Sequence, residues 1–302
     1  VAGNVQSRRR QFGVAFGKGL TMKIRMVDVG KQRIRVAIWP SDRPGGTPLL
    51  LINGIGGSIE VLRPFAEQLP GTEVIAFDAP GTGASATPVM PLRMGGFAKL
   101  VAGLLTQLGY GQVDVLGVSW GGALAQQFAH SFPGRCRRLI LAATSTGLFA
   151  VPGDLRALWK LMSSSRFNDA ESIVKHAGTI YGGVFRKNPE YARQHMSEIV
   201  PPHTLGYLGQ MYAIWGWTSV HWLFTVKQPT LIMVGSDDPL VPAVNGKIMK
   251  ALIPNAELVE LDCGHLFLVT QAEMAVPIIR RFLDERRSTA AQPALLPVAH
   301  PR

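Results

Sequence analysis

The 302-residue chain predicts an α/β protein, a mostly parallel, doubly wound sheet with a block of helices inserted late in the sequence. Three observations carry this. Short runs that are apolar on both faces, such as Leu49-Leu50-Leu51-Ile52 and Leu139-Ile140-Leu141-Ala142, read as buried parallel strands. These runs alternate with amphipathic helical stretches, the rhythm of βαβ units. The rhythm then breaks between Thr144 and Lys227, a mainly helical stretch holding four of the six tryptophans (Trp159, Trp215, Trp217 and Trp222).

Taken in order, residues 1–21 read as a flexible basic leader, with Met22 offering an alternative beginning. From Ile24 to Trp39 apolar and polar residues alternate loosely, as in an antiparallel edge hairpin. Strands are predicted over 48–53, 73–78, 113–118, 138–143, 230–234 and 257–261. The helical stretch 144–227, interrupted by Pro152, Gly182-Gly183 and Pro201-Pro202, reads as a cap inserted before the strand at 230–234. The expected organisation is therefore a core of residues 22–143 and 228–287, a cap of 144–227, and a loose Ala/Pro-rich tail of 288–302.

A formal charge of +11 invites a nucleic-acid reading, but its distribution argues against one. Residues 1–35 carry nine Lys or Arg against the single Asp28, so the remaining body is only +3. No zinc-finger, basic-zipper or RNA-recognition pattern accompanies the charge. Two cysteines, Cys136 and Cys263, make no disulfide framework and suit a reducing cytoplasm as small buried apolar residues. No segment has the ~18 uninterrupted apolar residues of a membrane span. Walker A, HExxH and Cys/His metal spacings are missing, so neither metal nor cofactor is expected. Gly81-Thr82-Gly83-Ala84-Ser85-Ala86 fits a dinucleotide fingerprint formally, yet Thr87-Pro88 follows where a helix should open, and it reads as a tight turn.

Chemistry concentrates at Gly117-Val118-Ser119-Trp120-Gly121, which fits the nucleophile elbow G-x-S-x-G between a strand and a helix. Such a turn exposes its central side chain, and glycines are needed where a Cβ would meet neighbouring backbone. A serine nucleophile needs a base, an acid that orients the base, and donors for the oxyanion. Downstream, strand ends run into Gly235-Ser236-Asp237-Asp238-Pro239 and Asp262-Cys263-Gly264-His265, where open α/β sheets build their sites. His265 is the expected base and Asp238 the acid, the Gly235-x-x-Asp238 spacing favouring it over Asp237, which reads as a turn former. The region after the preceding strand, Ala143-Thr144-Ser145-Thr146, offers no carboxylate. Trp120 N–H and Ile55 N–H, the latter from Asn53-Gly54-Ile55-Gly56-Gly57, are the expected oxyanion donors, with Asn53 shaping that loop.

With these groups in the order Ser, acid, His, the chain resembles an α/β-hydrolase from about Ile24 to Leu283. More narrowly it resembles the intracellular depolymerases of medium-chain-length poly(3-hydroxyalkanoates). That resemblance is carried by 74–81 (Val-Ile-Ala-Phe-Asp-Ala-Pro-Gly), by 110–130 around the elbow, and by Thr179-Ile180-Tyr181-Gly182-Gly183. It continues in 216–222 (Gly-Trp-Thr-Ser-Val-His-Trp), Asp237-Asp238-Pro239-Leu240 and 264–269 (Gly-His-Leu-Phe-Leu-Val). The resemblance implies the triad Ser119, Asp238 and His265, a hydrophobic polyester substrate, and residence on storage granules. It also implies degradation, because related synthases carry Cys in the elbow, and it sets aside the Asp nucleophile of dehalogenases and epoxide hydrolases.

Two other readings stand beside it: a general medium-chain carboxylesterase or lipase with the same triad, and a catalytically idle binding protein of this fold. For substrate contact, Trp215, Trp217 and Trp222, with Met211, Tyr212 and Leu223, are expected to line an apolar passage above Ser119.

Overall fold

The computed structural model describes residues 22–43, 45–162, 170–196 and 203–284. The leader expected over 1–21 and the tail expected over 288–302 lie outside the described residues. Strand β1 (Lys23–Val29) turns at Gly30 into β2 (Gln32–Trp39), forming an antiparallel hairpin at one edge of the sheet. Then follow β3 (Leu49–Ile52), α1 (Ile59–Ala66), β4 (Val74–Phe77), α2 (Met94–Gln107), β5 (Val113–Val118), α3 (Trp120–Ser131) and β6 (Cys136–Ala142).

Among the described residues five α-helices come next: α4 (Leu155–Met162), α5 (Ala170–Tyr181), α6 (Gly183–Lys187), α7 (Pro189–Met196) and α8 (Thr204–Ile214). The sheet resumes with β7 (Thr230–Gly235), α9 (Val244–Leu252) and β8 (Ala256–Leu261), and the described chain closes with α10 (Phe267–Thr270) and α11 (Ala272–Asp284).

The eight strands lie in the order β1-β2-β4-β3-β5-β6-β7-β8. β2 is antiparallel to β4, and every pairing from β4 to β8 is parallel. The strands are apolar on both faces because each face meets a helical layer. Leu50, Ile52, Val115 and Leu141 point into a cluster with Phe97, Val101, Leu124 and Phe128 of α2 and α3. Their sequence neighbours Leu49, Leu51, Leu116 and Ile140 point the other way, onto Leu62, Phe65, Ile279 and Phe282 of α1 and α11. The period of two that sets strand side chains on opposite faces thus feeds two cores from one run of leucines. Each such fully buried side chain contributes about 1.5–3 kcal/mol.

Helices α4 to α8 enter between β6 and β7 and build two small cores of their own, around Ala177, Phe185 and Ala192 and around Ala157, Ile180 and Leu240. They are pinned to the C-terminal ends of the parallel strands by Asp154 N–H to the Pro239 carbonyl (2.7 Å) and His265 N–H to the Tyr181 carbonyl (2.8 Å). The loops after β3, β5, β7 and β8 therefore open beneath these helices.

Candidate active site

Ser119 sits between β5 and α3 with φ 54° and ψ −117°, a conformation that costs a non-glycine residue of order 1–3 kcal/mol. The neighbourhood holds it there. Ser119 N–H donates to the Ala142 carbonyl (2.9 Å), and its own carbonyl accepts from Thr144 Oγ1 (2.7 Å) and Gly122 N–H (2.9 Å). A Cβ on Gly117 would strike the Gly121 carbonyl, and one on Gly121 would strike the Ile52 carbonyl, so the turn closes only with glycine at both places. Held in this strained conformation, Ser119 lines the cavity between the sheet and the overlying helices.

His265 follows β8 and is 3% exposed. Its Nδ1 lies 2.7 Å from Asp238 Oδ2. Asp238 follows β7, and its second oxygen accepts the N–H groups of Leu240 and Val241, both at 2.9 Å. Three hydrogen bonds thus hold the buried carboxylate. The Tyr181 ring lies nearly parallel to the imidazole (20°), with centroids 6.4 Å apart. Ser119 and His265 line the same cavity, about 80 Å³, with Asn53, Gly54, Ile55 and Leu266.

Asp237 is not the simple turn former that its place beside Asp-Pro implied. Its carboxylate accepts Gly183 N–H (2.8 Å) and pairs with Arg186 (2.6 Å), tying α6 to the loop after β7. It makes none of the contacts with His265 that Asp238 makes.

The loop after β3 is shaped by Asn53, whose Oδ1 accepts Gly54 N–H (2.8 Å) and whose Nδ2 donates to the Ser58 carbonyl (2.7 Å). Gly56 N–H goes to Gln210 Oε1 and Gly57 N–H to the Gly54 carbonyl. Among Gly54 to Gly57, Ile55 is the residue whose N–H is given to no described acceptor. Trp120 N–H opens α3 and has no preceding turn to receive it. Both N–H groups belong to residues that line a second cavity with Ser119, about 220 Å³.

That second cavity corrects the expected apolar passage. Met211 lines it, together with Ile214 from the same helix and Leu158, Leu161 and Met162 from α4. Trp217, Trp222 and Leu223 line neither cavity; they belong to the main core behind α3. Trp217 Nε1 donates to Gln127 Oε1 (2.9 Å), its ring meets Trp222 edge-on, and Trp222 stacks on His130. Tyr212 and Trp215 face outward, Trp215 being 75% exposed and Tyr212 lying under the Arg93 guanidinium. The chain leaves α8 at Gly216, φ 69°, and carries the tryptophans away from Ser119.

Further polar groups hold the loops of the site. Asp78, fully buried after β4, accepts the N–H groups of Ile59 and Ala84 and pairs with Arg35. Burial raises its carboxyl above the usual range despite that partner. Cys263, two residues before His265, has its thiol pushed up to about 12 by burial and by the neighbouring Asp238 and Asp262. Among the described residues no group of His, Cys, Asp and Glu could hold a metal ion, and no helix is long and apolar enough to cross a membrane.

The chain belongs to the α/β-hydrolase fold family, whose model matches residues 47–272. Among individual proteins it is 50% identical, over 279 residues, to the poly(3-hydroxyalkanoate) depolymerase of Ectopseudomonas oleovorans, covering 92% of this chain and 96% of that one. It is 26% identical to 3-oxoadipate enol-lactonase 2 of Acinetobacter baylyi, over 77% of this chain and 86% of that one. The solved enol-lactonase of Burkholderia xenovorans LB400 superimposes with a TM-score of 0.73 at 21% identity, covering 86% of this chain and 99% of that one. This last likeness speaks for the fold alone.

Proposed function

We propose that this chain is a serine ester hydrolase that cleaves poly(3-hydroxyalkanoate) storage polyester to 3-hydroxy acids. The observation that carries the chemistry is the buried His265–Asp238 contact at 2.7 Å, opening on the same cavity as the strained Ser119. The substrate rests on the half-identical depolymerase relative.

In this reading His265 Nε2 takes the Ser119 proton as Oγ attacks the ester carbonyl. Asp238 holds the Nδ1–H tautomer and stabilises the imidazolium. The oxyanion forms against Ile55 N–H and Trp120 N–H. His265 then protonates the departing alkoxide, the hydroxyl end of the remaining polymer, and activates the water that releases the 3-hydroxy acid. Because His265 must reach the leaving oxygen, the cavity beside it takes the alcohol portion. The cavity lined by Trp120, Met211 and Leu158 takes the acyl side chain.

The same helix that gives Leu158 and Leu161 to the acyl cavity turns Leu155 and Trp159 outward, each 76% exposed, and Met162, 60% exposed, joins them at the cavity rim. We read this apolar stripe, continuous with the cavity mouth, as the face that meets the polyester granule in the cytoplasm. A fluorophosphonate probe tests the chemistry: intact mass should show one adduct mapping to Ser119 and none in Ser119→Ala. Adduct formation that survives the substitution would overturn the nucleophile assignment.

A further inference from the structure

Gln210 lies in the middle of α8, on a helix of the inserted block, yet it is 1% exposed and its side chain is fully engaged by the core. Its Oε1 accepts Gly56 N–H at 2.8 Å, and its Nε2 donates to Thr82 Oγ1 at 2.6 Å. Its backbone carbonyl accepts the indole N–H of Trp120 at 3.0 Å. One residue thus touches both elements that supply the oxyanion donors, the loop after β3 and the first residue of α3.

The helix carrying it is seated without play. Gly206, one turn earlier, presses its backbone on Gly81, so that a Cβ on either would collide with the other residue. Buried residues recur along α8 at Gly206, Tyr207, Gln210 and Ala213, which is the helical face laid on the core.

From this geometry we infer that Gln210 is a positioning residue for ester hydrolysis, holding the loop so that Ile55 N–H faces the carbonyl oxygen under attack. The physical argument is local. Gly56 adopts φ 71°, a left-handed conformation, and its N–H is buried. Anchoring that N–H fixes the Ile55–Gly56 peptide plane on one side of Ile55, while Gly57 N–H on the Gly54 carbonyl holds the Gly54–Ile55 plane that carries the Ile55 N–H. Without the acceptor the N–H must find another partner, and the loop turns to reach one. Thr82 holds the amide from the other side, so that its oxygen, not its nitrogen, meets Gly56. Oxyanion donors act only when aimed at the charge that develops. A small rotation of this loop therefore costs turnover more than substrate binding.

This inference rests on the serine-hydrolase reading, and the test separates the two. Gln210→Leu, Gln210→Glu, Thr82→Val and Ser119→Ala are compared on p-nitrophenyl octanoate. Inhibition by an alkyl trifluoromethyl ketone, which forms a tetrahedral oxyanion on the serine, is measured beside inhibition by octanoate. Gln210→Leu should lower kcat by about ten- to a hundredfold, less than the roughly hundred- to thousandfold cost of losing an oxyanion donor outright, because Ile55 N–H is misaimed and not removed. KM and octanoate inhibition should stay within about threefold, and ketone affinity should fall in parallel with kcat. Gln210→Glu, which keeps an acceptor for Gly56 N–H, should recover most of the loss.

If Gln210→Leu does not fold, Thr82→Val decides, with a smaller fall of the same pattern expected. A folded Gln210→Leu with kcat within twofold of the parent, or a fall in kcat with unchanged ketone affinity, would overturn the positioning role. Activity that survives in Ser119→Ala would instead overturn the serine reading on which it stands.

Discussion

Replacing Asp238 by Asn keeps the shape of the site and changes only which atoms donate. One carboxylate oxygen accepts two backbone N–H groups at 2.9 Å, from Leu240 and Val241, while the other faces His265 Nδ1 at 2.7 Å. An Asn there can be oriented in two ways. Turning its NH2 toward the two backbone donors would break two buried hydrogen bonds and leave both N–H groups unpaired, at about 1–3 kcal/mol each. The amide is therefore held with its oxygen on the backbone and its NH2 toward His265. The imidazole must then accept at Nδ1 and carry its proton on Nε2, the nitrogen that should receive the Ser119 proton.

The expected loss in kcat is roughly ten-thousandfold, as for the same change in serine proteases, or about 5.5 kcal/mol of transition-state stabilisation. Asp237→Asn breaks only a half-exposed pair with Arg186 and keeps an oxygen for Gly183 N–H, so its loss should stay within about tenfold. Both variants are assayed on p-nitrophenyl octanoate, with fluorophosphonate labelling to count competent sites. Equal losses, or a larger one from Asp237→Asn, would refute the reasoning.

Met211→Ala should move the preferred acyl length of a p-nitrophenyl ester series toward longer chains and cost the octanoate several-fold in kcat/KM, at about 0.8 kcal/mol per buried methylene contact. Trp217→Ala should leave that preference in place and lower stability by about 3–5 kcal/mol, read from urea midpoints, because it empties a core site. The raised Cys263 thiol keeps its proton through pH 9, since its pKa lies near 12 and ionisation begins only close to that value. Iodoacetamide at pH 8 should therefore spare activity in the folded protein, and rapid loss of activity would contradict the burial described. Trp159→Ser, on the outer face of α4, should slow hydrolysis of polyester granules at least several-fold while turnover of a dissolved ester is unchanged.

Much of the fold is legible in the sequence, for a physical reason. Strands such as Leu49–Ile52 are buried on both faces, so their apolar character needs no knowledge of what covers them. The placement of Asp238 and His265 is legible too, because each follows a strand and strand ends converge at one edge of a parallel sheet. The cap residues behave differently. Which face of an inserted helix looks at Ser119 depends on how the helix docks, and Trp217 and Met211, six residues apart, end on opposite sides of that question. Gln210 carries no local signal at all. Its partners Gly56 and Thr82 are 154 and 128 residues away in the chain, and a Gln on an otherwise apolar helix gives no hint of them. Asp237 was obscured in the same way, since Gly183 and Arg186, which it holds, sit in the inserted block.

The most direct test of the account is product release from native granules of a medium-chain poly(3-hydroxyalkanoate), such as the 3-hydroxyoctanoate polymer. The chain is incubated with washed granules beside Ser119→Ala, and the soluble products are identified by chromatography and mass. The account predicts free 3-hydroxyoctanoic acid or its short oligomers with the parent chain and none with the variant. Granules left intact by a preparation that still turns over p-nitrophenyl octanoate would contradict it and point to an esterase of small molecules.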